Sequence, residues 1–265
     1  MANIHLLIVD PQFDFCDSSG ALFVPGATED IERLTIMTEI LCGELTDIHC
    51  TLDSHHLFDI AHPLAWQDLN GNHPDPFTII TFDQVDNQKW LASIPKYQAQ
   101  QRSYVKALAD NGRYPLCIWP PHCLIGSNGV QVMPSLYEQL LAWETQEYAM
   151  VDYVTKGTNW KTEHYSAIQA DVPDLEDEAT MANTKLISAL QEADIILLAG
   201  EAGSHCLANT VMDIADNFED DSHIKRLVLL EDATSSVSGF EHLYEDFRVK
   251  MITRGMQIST TLDFV

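Results

Sequence analysis

The chain has 265 residues, 46% of them hydrophobic and 20% charged, ordinary globular values that exclude a disordered polymer and allow a sizeable core. Its 14 basic and 40 acidic side chains give a formal net charge of −26, which argues against nucleic-acid binding through phosphates or adhesion to anionic lipid. No apolar run approaches the ~18 residues of a membrane span, and MANIHLLIVD lacks the basic start of a signal peptide. A cytoplasmic protein with a solvated acidic surface is expected.

In chain order, IHLLIVD (4–10) reads as a strand ending in an acid, IERLTIMTEILCGEL (31–45) has helical periodicity, and DIHCTLD (47–53) is a second strand ending in an acid. Residues 54–121 break this rhythm. They are rich in His, Pro, Asn and Asp, with a strand-like TIITF (78–82) and a helical YQAQQRSYVKALADNG (97–112). An amphipathic helix points to an ordered insertion after the second strand, at about 56–118, rather than a flexible linker. The alternation resumes with a strand AMVDYVT (149–155), a helix around 178–192, a strand ADIILLAG (193–200), a helix around 205–217, a strand IKRLVLLED (224–232) and a last helix near 239–253. Apolar strands alternating with helices predict a parallel sheet covered on both faces, in one α/β domain spanning 1–265. Sites in such sheets lie beyond the carboxyl ends of the strands, where Asp10, Asp53, Lys156 and the segment after Gly200 all fall.

Cys206, in AGEAGSHCLANTV, opens a helix after a strand and a small-residue turn. There the helix dipole and free N–H groups lower a thiol pKa and can hold an oxyanion. Taken singly, a cysteine at a helix start is more often core than nucleophile. Asp10 as a base and Lys156 as a stabiliser of negative charge at the same sheet edge shift that balance toward a cysteine hydrolase. Cys16, Cys42, Cys50, Cys117 and Cys123 show no CxxC spacing and read as reduced thiols, mostly of the core. A second set is histidine-rich: Asp53-Ser54-His55-His56, then His62, then His122 in WPPHC. Imidazoles with one carboxylate suit zinc, iron or manganese. His5, His49, His73, His164, His223 and His242 read as satisfied polar or surface residues.

Separate segments, in order along the chain, resemble the nicotinamidase branch of the isochorismatase-like cysteine hydrolases. LLIVDPQFDFCDSSGALFVPGA is similar to that family's opening strand and loop, with Asp10 at its aspartate. TLDSHH and WPPHCLIGS are similar to its metal-ligand segments, and VTKGTNWKTEHYSA to its lysine segment, at Lys156. LLAGEAGSHCLANTVMDIADN is similar to its nucleophile segment, at Cys206, and EDATSSVSG to the strand-end motif that follows. The likeness spans nearly the whole chain apart from the insertion.

The resemblance implies a three-layer α/β/α fold with a six-stranded parallel sheet and a triad of Asp10, Lys156 and Cys206. It implies a cis peptide before Ala202 and an oxyanion hole made by the N–H groups of Ala202 and Cys206. A divalent metal ion, zinc or else iron or manganese, would sit on Asp53, His55 and His122, with waters, His56 or His62 completing the shell. Phe15 and Trp119 would line a ring pocket, and the protein would be a homo-oligomer acting on a small-molecule amide. The implied reaction is hydrolysis of nicotinamide to nicotinate and ammonia through a thioester. The rivals are a ureido or N-carbamoyl amidohydrolase of the same superfamily and a non-catalytic binding protein on this fold. Pro11, Phe13, Glu201 and Ser204 depart from the family pattern. A charged Glu201 beside the oxyanion hole would repel developing negative charge unless turned away or paired.

Overall fold

The structure is a computed structural model and describes residues 2–218 and 221–264. Its main sheet has six strands: β1 (Ile4–Val9), β2 (Leu45–Asp53), β3 (Asp152–Lys156), β4 (Ile195–Gly200), β5 (Leu227–Leu230) and β6 (Gln257–Ser259). They lie in the order β6-β5-β4-β1-β2-β3, and every neighbouring pair is parallel. All six residues of β1 are buried, as a strand covered on both faces requires. Around the sheet lie α1 (Ala27–Ile40), α2 (Gln98–Asp110), α3 (Pro134–Glu147), α4 (Thr184–Glu192), α5 (Cys206–Asn217) and α6 (Glu241–Arg254). α1 packs against α3 and α5 against α6, giving the three-layer α/β/α arrangement.

The boundaries move where local chemistry competes with periodicity. The helix expected around 178–192 starts only at Thr184, because the Asn183 side chain accepts from the Leu186 N–H at 3.1 Å and caps it there. Of TIITF, only Ile79–Ile80 pairs, antiparallel to Leu116–Cys117. Thr81 and Gln84 then form a capping box that turns Phe82–Asp86 into a helix. α3 has no counterpart in the sequence reading, although Leu136, Leu140 and Trp143 form its buried face. β6 is likewise absent from that reading, since three part-exposed residues carry no apolar run.

The insertion is ordered as expected: Gln101, Tyr104, Val105 and Leu108 of α2 are buried, and Trp66 is fully so. The six cysteines are free thiols, five of them buried. Among the described residues, no helix is long and apolar enough to cross a membrane. At the carboxyl edge, β4 closes tightly on β1. Gly200 pairs with Val9 and adopts φ +103°, and a Cβ there would lie 2.1 Å from the Val9 carbonyl oxygen. Only glycine permits both the conformation and the approach.

Candidate active site

The carboxyl ends of β1, β2 and β3 meet as the topology rule predicts. Asp10 follows β1 with φ 45°, a left-handed conformation that aspartate tolerates better than most residues. Thr51 on β2 holds it there: the Asp10 N–H donates to Thr51 Oγ1 at 3.0 Å, and that hydroxyl donates to Asp10 Oδ1 at 2.5 Å. Gln12 fastens the two strand ends together. Its Nε2 donates to the carbonyls of Asp53 and Val130 at 2.8 and 2.9 Å, and its Oε1 accepts from the Asp53 N–H at 2.7 Å. On β3, Lys156 pairs in register with Asp53. Its Nζ lies 2.8 Å from Asp10 Oδ2, 3.2 Å from Asp53 Oδ1 and 3.6 Å from Cys206 Sγ at the first residue of α5. All four side chains are buried.

Burial and the neighbouring charges act differently on each of these groups. Desolvation opposes the Lys156 charge, but Asp10 and Asp53 beside it hold the ammonium well above the usual lysine range. Burial would also raise Asp53, yet His55 and Lys156 keep it well below the usual carboxylate range. Asp10 goes the other way: burial pushes it up more than Lys156 pulls it down. Burial likewise pushes the Cys206 thiol well above its ordinary value, with Lys156 opposing and Asp10 and Asp53 adding to the rise. This corrects the expectation of a thiol lowered by the helix start and the lysine. The resting group is a thiol beside a carboxylate of raised proton affinity.

The Glu201–Ala202 peptide is cis, as expected. The Ala202 carbonyl accepts from the N–H groups of His205 and Leu207 at 3.0 and 3.1 Å, while among the described residues the N–H groups of Ala202 and Cys206 have no hydrogen-bond partner. Glu201 is fully buried and accepts from the Ser235 N–H at 3.1 Å. Asp30, which also takes Ser235 Oγ at 2.5 Å and Arg33 Nη2 at 2.6 Å, lies against it. Burial, then Asp30, push Glu201 well above the carboxylate range, which favours its neutral form and weakens the repulsion expected of a charged Glu201.

Asp53, His55 and His122 offer ligand atoms all within 4.8 Å of one another. His55 Nε2 and His122 Nε2 lie 2.9 and 3.4 Å from Asp53 Oδ2. The other ring nitrogens are taken: His55 Nδ1 faces Asp59 Oδ2 at 3.1 Å, and His122 Nδ1 donates to the Pro120 carbonyl at 2.9 Å. Such outer partners orient imidazoles toward an ion. His62 packs beside both rings, tilted against His55 and edge-on to His122, at centroid distances of 5.2 and 5.5 Å. Its Nδ1 donates to the His56 carbonyl at 3.2 Å, and its buried Nε2 has no hydrogen-bond partner among the described residues. Burial lowers His62 to about 4, so this nitrogen is a bare acceptor. His56 itself is exposed. Gly157, at φ +81°, leaves room beside the cluster: a Cβ would lie 2.6 Å from Asp53 Oδ1. The donor set, the orphaned Nε2 and this gap fit a borderline divalent ion.

Phe15, Trp119, Tyr165 and His205 wall a cavity of about 30 Å³ floored by Asp53, His122, Ala202 and Cys206. Trp119 Nε1 donates to Tyr165 Oη at 3.0 Å, and the His205 ring stands perpendicular to Trp119 at 5.1 Å. Glu163 also lines it, pushed up to about 8 by burial and hence protonated near neutrality. A wider cleft of about 500 Å³ between α5 and α6 contains none of the reactive groups. Thr51, Asp59, Glu163, Tyr165 and His205 were not singled out by sequence. Glu163 and Tyr165 lie just beyond Lys156 and His205 directly precedes Cys206, and adjacency is the only signal they carry.

No family model matches the sequence, and no curated protein matches it. Solved structures share the fold. PnC1 from L. infantum, in complex with nicotinate, superposes with a TM-score of 0.62 at 20% identity, covering 99% of this chain and 94% of that one. A nicotinamidase/pyrazinamidase of Acinetobacter baumanii gives 0.65 at 20%, covering 100% and 99%. A pyrazinamidase of Pyrococcus horikoshii in complex with zinc gives 0.57 at 19%, covering 97% and 99%. The shared property is the fold, a three-layer α/β/α arrangement around a six-stranded parallel sheet, over nearly the whole chain.

Proposed function

We propose that this protein is a cysteine-dependent amidohydrolase and that its substrate is nicotinamide. The observation that carries the reading is the position of Lys156 Nζ, in contact at once with Asp10, Cys206 and Asp53, together with the backbone N–H groups of Ala202 and Cys206, which have no hydrogen-bond partner among the described residues. Asp10, whose proton affinity burial raises, takes the Cys206 proton as sulfur attacks the carboxamide carbon. Lys156 stabilises the thiolate as it forms, and the N–H groups of Ala202 and Cys206 receive the oxyanion. Asp10 returns its proton to the departing ammonia, then deprotonates a water that hydrolyses the thioester to the acid.

Asp53, His55 and His122 would hold a divalent ion, with His62 Nε2 as a further ligand. That ion would supply a Lewis-acid position for a ring nitrogen. The aromatic walls Phe15, Trp119 and Tyr165 of this small cavity suit a planar ring better than an extended N-carbamoyl chain, and the nicotinate complex of the L. infantum protein agrees with that class. The test is acid quenching of a turnover mixture with nicotinamide, followed by peptide mass analysis. A nicotinoyl adduct on Cys206 is expected; turnover with no adduct on any quench timescale would remove the thioester from the mechanism.

A further inference from the structure

At the opposite end of the sheet, three side chains converge that the proposed reaction does not use. His5 on β1 pairs in register with Asp47 on β2, and His49 follows two residues later on the same face of β2. His5 Nδ1 lies 3.2 Å from His49 Nε2, and one ligand atom from each of His5, Asp47 and His49 falls within 4.8 Å of the others. Both imidazoles are buried, at 4% and 1% exposure, while Asp47 is half-buried and opens the cluster to solvent.

We propose that His5, Asp47 and His49 form a second metal site, for a divalent ion of the zinc class, at the amino-terminal edge of the sheet. The arrangement has the outer support that such sites use. His49 Nδ1 lies 3.1 Å from Asp152 Oδ2, a carboxylate that can only accept, so His49 carries its proton on Nδ1 and presents a bare Nε2. Asp152 is itself anchored to Lys185 Nζ at 2.9 Å. Asp47 Oδ1 accepts from the Ile48 N–H at 3.1 Å, which fixes its carboxylate. Two imidazole nitrogens 3.2 Å apart match the edge of a zinc tetrahedron, about 3.3 Å for Zn–N bonds of about 2.0–2.1 Å. Ion binding requires only that His5 hold its proton on Nε2 instead of Nδ1. Asp47 and Glu192 add negative charge around His5. An ion there would clamp β1 to β2, the two strands that end in Asp10 and Asp53.

The test is titration of the full chain with Zn²⁺ against a chromophoric chelator, for wild type, Asp53→Asn, His49→Gln and Asp47→Asn. The site requires one equivalent that survives Asp53→Asn, disappears in His49→Gln and is weakened at least about tenfold in Asp47→Asn, as loss of a ligand predicts. Loss of all binding in Asp53→Asn, or full retention in both other variants, overturns it. If His49→Gln does not fold, Asp47→Asn, which keeps shape at a half-buried position, decides the question alone.

Discussion

Thr51→Val removes a hydroxyl while keeping the branched shape, and its effect follows from two hydrogen bonds. The Thr51 hydroxyl donates to Asp10 Oδ1 at 2.5 Å in a fully buried setting, and this contact lowers the Asp10 pKa against the rise from burial. A hydrogen bond to a charged group contributes about 1.5–3 kcal/mol; at about 1.36 kcal/mol per pH unit, its loss displaces Asp10 ionisation upward by about 1–2 pH units. Asp10 must be ionised to take the thiol proton, so the acidic limb of kcat/KM for ammonia release from nicotinamide moves to higher pH by that amount. Thr51→Ser restores the donor and should return the limb to its wild-type position. The valine variant also leaves the Asp10 N–H unpaired, a stability cost of about 1–3 kcal/mol, measurable by urea unfolding. An unmoved limb in an active Thr51→Val enzyme would refute the assignment of Asp10 as the base.

Lys156→Met strips the ammonium from between Asp10 and Asp53, both essentially inaccessible. Uncompensated buried charge of this kind costs about 3–5 kcal/mol, so urea unfolding should show a loss of that order together with loss of ammonia release. Gly157→Ala places a Cβ 2.6 Å from Asp53 Oδ1 at φ +81°, and Zn²⁺ affinity at the Asp53 centre should fall, as chelator competition will show. Burial raises Asp171 from 3.8 to about 7 in the folded protein. The folded state therefore keeps a proton that the unfolded chain releases near pH 4, and this group's contribution to stability falls as pH rises from about 4 to about 7. Asp171→Asn should flatten that part of the stability–pH curve. His205 behaves oppositely: burial lowers it to about 3, so its contribution falls as pH drops from about 6.5 toward 3, and His205→Gln should remove that slope in acid unfolding.

The sheet and its reactive edge were legible because parallel strands impose a simple rule. Asp10, Asp53 and Lys156 each end an apolar strand, Cys206 opens the helix after one, and closing the sheet brings all four together. Partners assigned by folding were not legible. Thr51 reads as one more residue of a buried strand until β2 sets it beside Asp10. Glu201 looked like a charge threatening the oxyanion hole. Asp30, which helps push Glu201 up, lies far back in the chain on α1, and only packing brings the two together. His56 and His62 are likewise told apart only by folding, because the turn after His55 exposes one and buries the other. α3 escaped detection despite its spaced Leu136, Leu140 and Trp143, and β6 was too short and exposed to leave a pattern.

The central claim is that Cys206 performs amide hydrolysis within a centre that also binds a metal. Ammonia release from nicotinamide by zinc-loaded protein, measured beside Cys206→Ala and chelator-treated samples, tests it most directly. Release that vanishes in Cys206→Ala and falls steeply after chelation is expected. Release that persists in Cys206→Ala would contradict the account.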